Sequence, residues 1–516
     1  MKQEDMVLHI LPDELWWGGV VNDGVRMPFS SESGMERDLN GHLAYNQGSP
    51  LLLSSKGRYV WSEEPFKFEI TNGELKIKGM TDVVHSGRSG ESLREAFLYT
   101  SQTFFPSNGT IPDKRFFNVP QYNTWMEMSY DCTQQKVIDY AEAIIENGLP
   151  PGVLMIDDNW HVDYGILDFD SRRFPDAKKM IERLHELGFT VMLWVSPFIS
   201  PDSSVYRALQ RKGYLIREGN SRPVIREWWN GFSAILDLTH PEAEQWFRGE
   251  LDNLMQSYDI DGFKLDAGDP EYYASDDVTY RTTTPNEQSE IWAQLGLHYR
   301  FNEYRACWKM GGQPLVQRLS DKNHSWGLDG LRSLIPNGLA QGLLGYAFNC
   351  PDMVGGGQYE DLIRPDFKVD QELFVRYAQC AALFPMMQFS TAPWRVLDAK
   401  HTALCIQAAQ LHVEMGEIIE GLAIRAGITG EPIMRHLAYM YPHMGYESVM
   451  DEFLLGDLIL VAPVLEQGAT RRTIVFPPGE WVGDDGSVVL GPCKLDVEAQ
   501  LERLPWYRKR NYQCSL

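Results

Sequence analysis

Along the first hundred residues, apolar and polar positions alternate with a period of two. LLLSSKGRYVWSEE and FKFEITNGELKIKG are both broken by Gly or Asn, the pattern of short antiparallel strands joined by turns. This β-pattern runs to about Phe105. The stretch PSNGTIPDKRFFNVPQ is rich in chain breakers and reads as a connector. The pattern then changes, and short apolar runs alternate with helical periodicity. TWMEM precedes the helix QKVIDYAEAIIENG, VLMIDD precedes DAKKMIERLHELG, and TVMLWV precedes VYRALQRKG. GFKLD, PLVQRLS, SWGLDG, GYAFN and MMQFS continue the series, which makes eight candidate strands. Strand–helix alternation repeated eight times predicts a (β/α)8 TIM barrel. After a helical stretch from Gln407 to Ala426, DLILVAPVL, RRTIVFP and SVVLGPCKLDV return to strand patterning. The expectation is an α/β chain with an N-terminal β-domain over 1–112, a catalytic barrel over 113–430 and a C-terminal β-sandwich over 431–516. A doubly wound sheet is the rival architecture, but no GxGxxG follows any strand.

Composition narrows the function classes. A formal charge of −24 disfavours nucleic acid and anionic membranes as partners. No apolar run is long enough to span a bilayer, and the first residues lack the apolar stretch of a signal peptide. Seven cysteines (Cys132, Cys307, Cys350, Cys380, Cys405, Cys493 and Cys514) form no CxxC pair, so a reducing cytoplasm is the expected location. Fifteen tryptophans exceed what packing alone asks for, and rings that stack on sugars are one use for them.

Polar residues gather at the C-terminal ends of the candidate strands, where barrels of this kind build their sites. Val153–Asp157 runs into Asp158, Asn159 and Trp160. Thr190–Val195 contains Trp194, Gly262–Asp266 ends in Asp266, Pro314–Leu319 holds Arg318, and Tyr346–Asn349 leads to Asp352. In DIDGFKLDAGD, strand parity turns Gly262, Lys264 and Asp266 to the barrel interior, with Phe263 and Leu265 toward the helices. Lys264 and Asp266 on one face can hold each other charged, which suits an ionised nucleophile. A structural ion pair reads the same pattern equally well. Asp329 follows the strand-like SWGL beside two glycines, where a turn or helix-cap Asp is the bland alternative.

These segments resemble glycoside hydrolase family 31 over nearly the whole chain. FKLDAGD is similar to the family's nucleophile motif on barrel strand four, and Trp326-Gly327-Leu328-Asp329 to its acid/base motif. GLAQGLLGYAFNCPDMVGG, ELFVRYAQCAALFPMM, EPIMRHLAYMYP and DEFLLGDLILVAPVLEQGATRRTIVFPPGEW are similar to later family segments, in the family's order. The resemblance implies that Asp266 is the nucleophile and Asp329 the general acid/base of a retaining α-glycosidase. It implies that Asp157, in an Asp-x-x-Trp pattern ending at Trp160, grips hydroxyls of the sugar being cleaved. Asp158, Trp194, Lys264, Arg318, Trp326 and Asp352 become further walls, and Trp228 or Trp229 an aromatic face, with Trp229 taken as the site residue of the two. Two departures stand out: Lys264-Leu265-Asp266 where many family glucosidases have Trp-x-Asp, and Pro351-Asp352 where they have His-Asp. PDMVGG, KLDAG and MMQFSTAPWR instead resemble the family's myogenesis-regulating glycosidase branch, implicated in α-galactoside cleavage. The N-terminal β-region is shorter than in most members, so loops it lends to the site are expected to be missing.

The chemistry so implied is double displacement, with Asp329 raised in pKa and Asp266 lowered by Lys264 and Arg318. It needs no metal or cofactor, and its partner is a small oligosaccharide or glycoside. Exo-acting α-galactosidase is the leading function. α-Glucosidase, α-xylosidase and a non-catalytic sugar-binding protein on this fold are alternatives. A barrel aldolase or isomerase using Lys264 as a Schiff-base amine is a rival from another class. The sequence leaves the oligomeric state open, a homo-oligomer included.

Overall fold

The computed structural model describes residues 5–510 except Thr81 and Pro365, so Cys514 lies outside the described residues. The central sheet is an eight-stranded parallel barrel. Its strands are β1 (Gln121–Asn123), β2 (Val153–Ile156), β3 (Thr190–Val195), β4 (Gly262–Leu265), β5 (Phe301–Tyr304), β6 (Gln317–Arg318), β7 (Asn349–Cys350) and β8 (Gln388–Phe389). Hydrogen-bonded neighbours run β7-β6-β5-β4-β3-β2-β1-β8, so the ladder is continuous except between β7 and β8. There the Val354 N–H donates to the Gln388 carbonyl at 2.8 Å and draws the ends together.

Two strand expectations need correction. TWMEM is not a strand: Trp125–Met128 forms one helical turn, and β1 is the QYN just before it. Asn123 ends that strand, because its side-chain oxygen accepts the Trp125 N–H at 2.8 Å. SWGLDG is not a strand either. Its residues close on one another, Ser325 N–H to the Asn323 carbonyl and Leu331 N–H to the Ser325 carbonyl, and form a loop after β6. The fifth strand is FNEY, whose polar Asn302 and Glu303 hide it from a search for apolar runs. Both are buried. Glu303 accepts from Gln388 Nε2 at 2.7 Å across the barrel interior, so the interior carries a polar layer. The parity reading of β4 does match the packing. Lys264 faces the interior, whereas the Phe263 ring lies edge-on to Tyr299 at 5.0 Å.

The N-terminal region holds two antiparallel sheets. The strands Lys67–Thr71 and Glu74–Lys78 pair through Asn72-Gly73, both at positive φ (51° and 76°), as a two-residue hairpin turn requires. The expectation of strands up to Phe105 fails at Leu93–Phe104, which is a helix capped by Ser92. This region is bolted onto the barrel. Its strand Gln47–Ser54 pairs with Cys307–Trp308, and Gln47 Nε2 donates to the carbonyls of Arg305 (2.7 Å) and Arg318 (2.9 Å). At the other end is a six-stranded antiparallel sheet. The helix Gln371–Ala382 holds it through Arg376, which donates to the carbonyls of Ala469 and Ala499.

Candidate active site

The C-terminal ends of the barrel strands open into one cavity of about 990 Å³, lined by Asp157, Asp158, Trp194, Trp229, Lys264, Asp266, Arg305, Arg318 and Asp329 among others. Asp266 lies one residue past β4, where its N–H extends the ladder to the Val195 carbonyl at 2.9 Å. The chain then turns sharply. Ala267 sits at φ 56° and Gly268 at φ 71°, and a Cβ on Gly268 would stand 2.3 Å from the Trp292 ring. Holding Ala267 there costs about 1–2 kcal/mol. In return the turn presents the carboxylate to the cavity, with Oδ1 accepting the Ala267 N–H at 2.8 Å.

Cations surround Asp266. Arg305 Nε donates to Oδ1 at 3.1 Å, Trp194 Nε1 donates to Oδ2 at 3.0 Å, and Lys264 Nζ stands 3.7 Å from Oδ2. Burial alone would raise its pKa. Arg305, then Lys264, then Arg318 outweigh burial and hold Asp266 well below the usual carboxylate range. The expected pairing of Lys264 with Asp266 is therefore secondary. Lys264 bonds first to Asp157 Oδ2 at 2.6 Å, and the principal cation at Asp266 is Arg305, which the sequence reading missed. Arg305 is fixed in turn by both oxygens of Asp269 (2.8 and 2.7 Å). Burial opposes the Lys264 charge, but Asp157 and Asp266 prevail and raise its pKa. A raised pKa disfavours the neutral amine that an aldolase reading requires.

Asp158 is buried beside Asp157. Tyr164 and Asn230 both donate to it. Burial and then the Asp157 charge push its pKa up to about 7. Asn230 follows Trp229, and the pair settles which indole faces the site. Trp228 is buried, stacking on Phe198 at 4.3 Å. Trp229 is 45% exposed, lines the cavity, and carries Arg305 over its ring at 5.5 Å.

Three residues expected in the walls do not reach the cavity. Trp160 is fully buried and donates its N–H to the Trp194 carbonyl at 2.8 Å, so it packs behind the wall. Asp352 is also buried, with Arg318 Nη1 at 2.8 Å and the N–H groups of Lys322 and Gly357 at 2.7 Å each. Burial pushes it up to about 6 against the pull of Arg318, so it braces Arg318 from behind. Trp326 points away, toward Arg332 and the turn Leu465–Gln467, because its N–H donates to Asp370 Oδ2 at 2.9 Å.

Asp329 does line the cavity, on the loop after β6. Its carboxylate accepts from Asn323 Nδ2 at 2.8 Å and Ser325 Oγ at 2.9 Å. The expectation of a raised pKa is not met. The Asn323 bond outweighs a modest burial effect and the pKa is lowered. The N-terminal region contributes Asn22, Ala44 and Tyr45 to the lining. Arg305 Nη1 donates to the Tyr45 carbonyl at 2.7 Å. No alternation rule could have shown that contact, since it joins residues 260 apart in the chain. Among the described residues, no group of three or more His, Cys, Asp or Glu is placed to hold a metal ion, and no helix is long and apolar enough to cross a membrane.

Comparison with known proteins places this geometry in context. The model of the glycosyl hydrolases family 31 TIM-barrel domain matches residues 120–415, and that of the family 31 C-terminal domain matches residues 430–512. The chain is 35% identical to the myogenesis-regulating glycosidase of Mus musculus, covering 76% of this chain and 56% of that protein. It is 27% identical to alpha-glucosidase 2 of Bacillus thermoamyloliquefaciens, covering 75% of this chain and 52% of that one. It thus spans little more than half the length of these relatives. A dextranase from Flavobacterium johnsoniae complexed with glucose superposes with a TM-score of 0.85 at 18% identity, over 98% of this chain and 66% of that one. The cycloalternan-degrading enzyme from Trueperella pyogenes superposes with a TM-score of 0.84 at 19% identity, over 98% and 81%. At that identity the two structures bear on the fold alone.

Proposed function

The chain belongs to glycosyl hydrolases family 31, and from that premise we propose that it is a retaining, exo-acting α-glycoside hydrolase that prefers a terminal α-galactoside. One observation carries the reading: Asp266 is kept ionised by Arg305 and Lys264 in a cavity that a second carboxylate, Asp329, also lines. In the proposed cycle Asp329 gives its proton to the glycosidic oxygen while Asp266 attacks the anomeric carbon. The C–O bond to the leaving group breaks and a glycosyl ester forms. Asp329 then takes a proton from water, which attacks the same carbon and frees Asp266 with the sugar's configuration retained. A sugar entering the cavity strips water from Asp329. Desolvation disfavours the charged form, so a bound sugar would raise the pKa of Asp329 toward that of an acid.

The sugar preference rests on the deep wall. Asp157, paired with Lys264 at 2.6 Å, accepts hydrogen bonds, whereas burial and the Asp157 charge raise the pKa of Asp158 to about 7, so that Asp158 can also donate one when protonated. A donor and an acceptor side by side read the orientation of a hydroxyl, the single difference between galactose and glucose at C4. The resemblance to the galactoside-linked branch points the same way. Six described cysteines, all unpaired, support a reducing compartment as the chain's location. The test is kcat/KM on matched p-nitrophenyl α-galactoside and α-glucoside. We expect at least a 10-fold galactoside preference, worth about 1.4 kcal/mol. A clear glucoside preference would overturn the sugar assignment alone. No turnover of any aryl α-glycoside would leave a sugar-binding protein.

A further inference from the structure

The loop that carries Asp329 has no regular secondary structure, so something other than a helix or strand ladder must hold it to the barrel. At its start the Lys322 N–H donates to Asp352 and its carbonyl accepts the Gln358 N–H, and around Asp329 several contacts are internal. Asn323 and Ser325, which grip the Asp329 carboxylate, are the chain neighbours of His324. His324 turns the other way. It is absent from the cavity lining and bonds to three separate elements. Its backbone N–H donates to Asp361 Oδ2 at 2.7 Å, on the short helix Tyr359–Ile363. Its ring Nδ1 lies 2.7 Å from the Gly355 carbonyl in the loop after β7. Its ring Nε2 lies 2.9 Å from the backbone N–H of Asp370, the cap of helix Gln371–Ala382.

These partners settle the tautomer. A carbonyl can only accept, so Nδ1 carries the hydrogen. A backbone N–H can only donate, so Nε2 carries the lone pair. The ring is therefore neutral, consistent with burial lowering its pKa despite the Gly355 carbonyl and the nearby Asp370 and Asp361, with Arg364 acting in the same sense as burial. The Phe367 ring closes the edge at 5.5 Å. Asp370 strengthens the junction, since its carboxylate accepts from Trp326 Nε1 at 2.9 Å and from Gln467 Nε2 of the C-terminal sheet domain at 3.1 Å.

We propose that His324 is the positioning residue of the general acid: a neutral imidazole clip that docks the loop on β7's loop and on the following helix, and so places Asn323, Ser325 and through them Asp329. The inference rests on Asp329 being the acid/base. His324 does not line the cavity, so its loss should appear only in the step that needs a well-placed proton. A displacement of about 1 Å at a catalytic group can cost on the order of 100-fold.

The experiment compares His324→Ala with wild type on two glycosides of the sugar the enzyme prefers. One carries 2,4-dinitrophenolate, a leaving group that departs without a proton, and the other carries a methyl or sugar leaving group that cannot. We expect kcat/KM to fall by roughly 10–100-fold on the poor leaving group and by no more than a few-fold on the dinitrophenyl glycoside, whose turnover also reports a folded barrel. His324→Gln, which keeps an acceptor but not both ring contacts, should fall between. Asp329→Ala is run beside them. If Asp329→Ala shows the leaving-group dependence and His324→Ala loses activity equally on both substrates, or on neither, the clip is wrong and the acid assignment stands. If Asp329→Ala itself shows no such dependence, the acid assignment falls and the clip with it.

Discussion

Asp266 and Asp329, two of the carboxylates that line the cavity, live in opposite surroundings. Asp266 ends a barrel strand, is buried, and is gripped by Arg305, Lys264 and the Trp194 N–H. Asp329 sits on an irregular loop, is more open to solvent, and is held by a neutral amide and a hydroxyl. No cation lies within salt-bridge distance of it among the described residues, whereas two flank Asp266. The difference follows from what each group must do. A nucleophile must stay ionised, so it gains from fixed cations on a rigid strand. An acid must regain a proton each cycle, so a neighbouring cation would disable it. Neutral hydrogen bonds orient Asp329 without locking its charge.

The sharpest way to break this contrast is to remove the charge at the strand. Asp266→Asn should lower kcat/KM by about 10⁴-fold or more on good and poor leaving groups alike, with circular dichroism unchanged. Activity near wild type in that variant would remove Asp266 from the mechanism. On the loop side the loss should depend on the substrate. Asp329→Ala should cost about 10²–10³-fold with a methyl or sugar leaving group and only a few-fold with dinitrophenolate. Added azide, which needs no general base, should restore the second step. Equal losses on both substrates would assign the acid elsewhere.

The smallest effect concerns the dryness of the wall beside Asp157. Asp158 has a pKa raised to about 7 by burial and by Asp157, so the folded state keeps a proton that the unfolded chain releases near pH 4. The stability linked to that proton is full below the ordinary carboxylate range and is lost as pH rises through about 7, by at most about 1.4 kcal/mol per pH unit. Asp158→Asn carries no such loss. Its melting temperature should therefore gain on that of wild type between pH 5 and 7, and the gap should stop widening above that. A gap that does not change with pH would mean that Asp158 titrates as a solvated carboxyl.

Much of this fold was legible because local pattern and tertiary environment agree. Strands such as VLMI and TVMLWV are apolar on both faces, as barrel strands covered by helices must be. FNEY escaped because Glu303 faces the barrel's polar interior, where Gln388 of β8 satisfies it, and Asn302 on the opposite face is satisfied by the Val316 N–H just before β6. Such pairing leaves no trace in a local window. SWGLDG looked like a strand because Trp and Leu are spaced by one residue, but Gly327 and Gly330 let it coil. The carboxylates Asp266 and Asp329 and the deep pair Asp157 and Asp158 were readable from motif and strand end. Arg305 was not, since nothing marks an Arg as a carboxylate's partner until the strand before it is known.

By itself the sequence determined the order of the elements, the strand that bears Asp266 and the residue types the chemistry needs, because these follow from short-range periodicity and from motifs a few residues long. Only the tertiary structure decided which cation holds Asp266, that Trp160, Trp326 and Asp352 stand behind or beyond the cavity wall, that Trp229 rather than Trp228 faces it, and that Tyr45 closes its rim. Each of these turns on groups from 34 to 260 residues apart in the chain meeting in space. There, burial penalises an unpaired charge by several kcal/mol, so the identity of the neighbour fixes the charge state of the group.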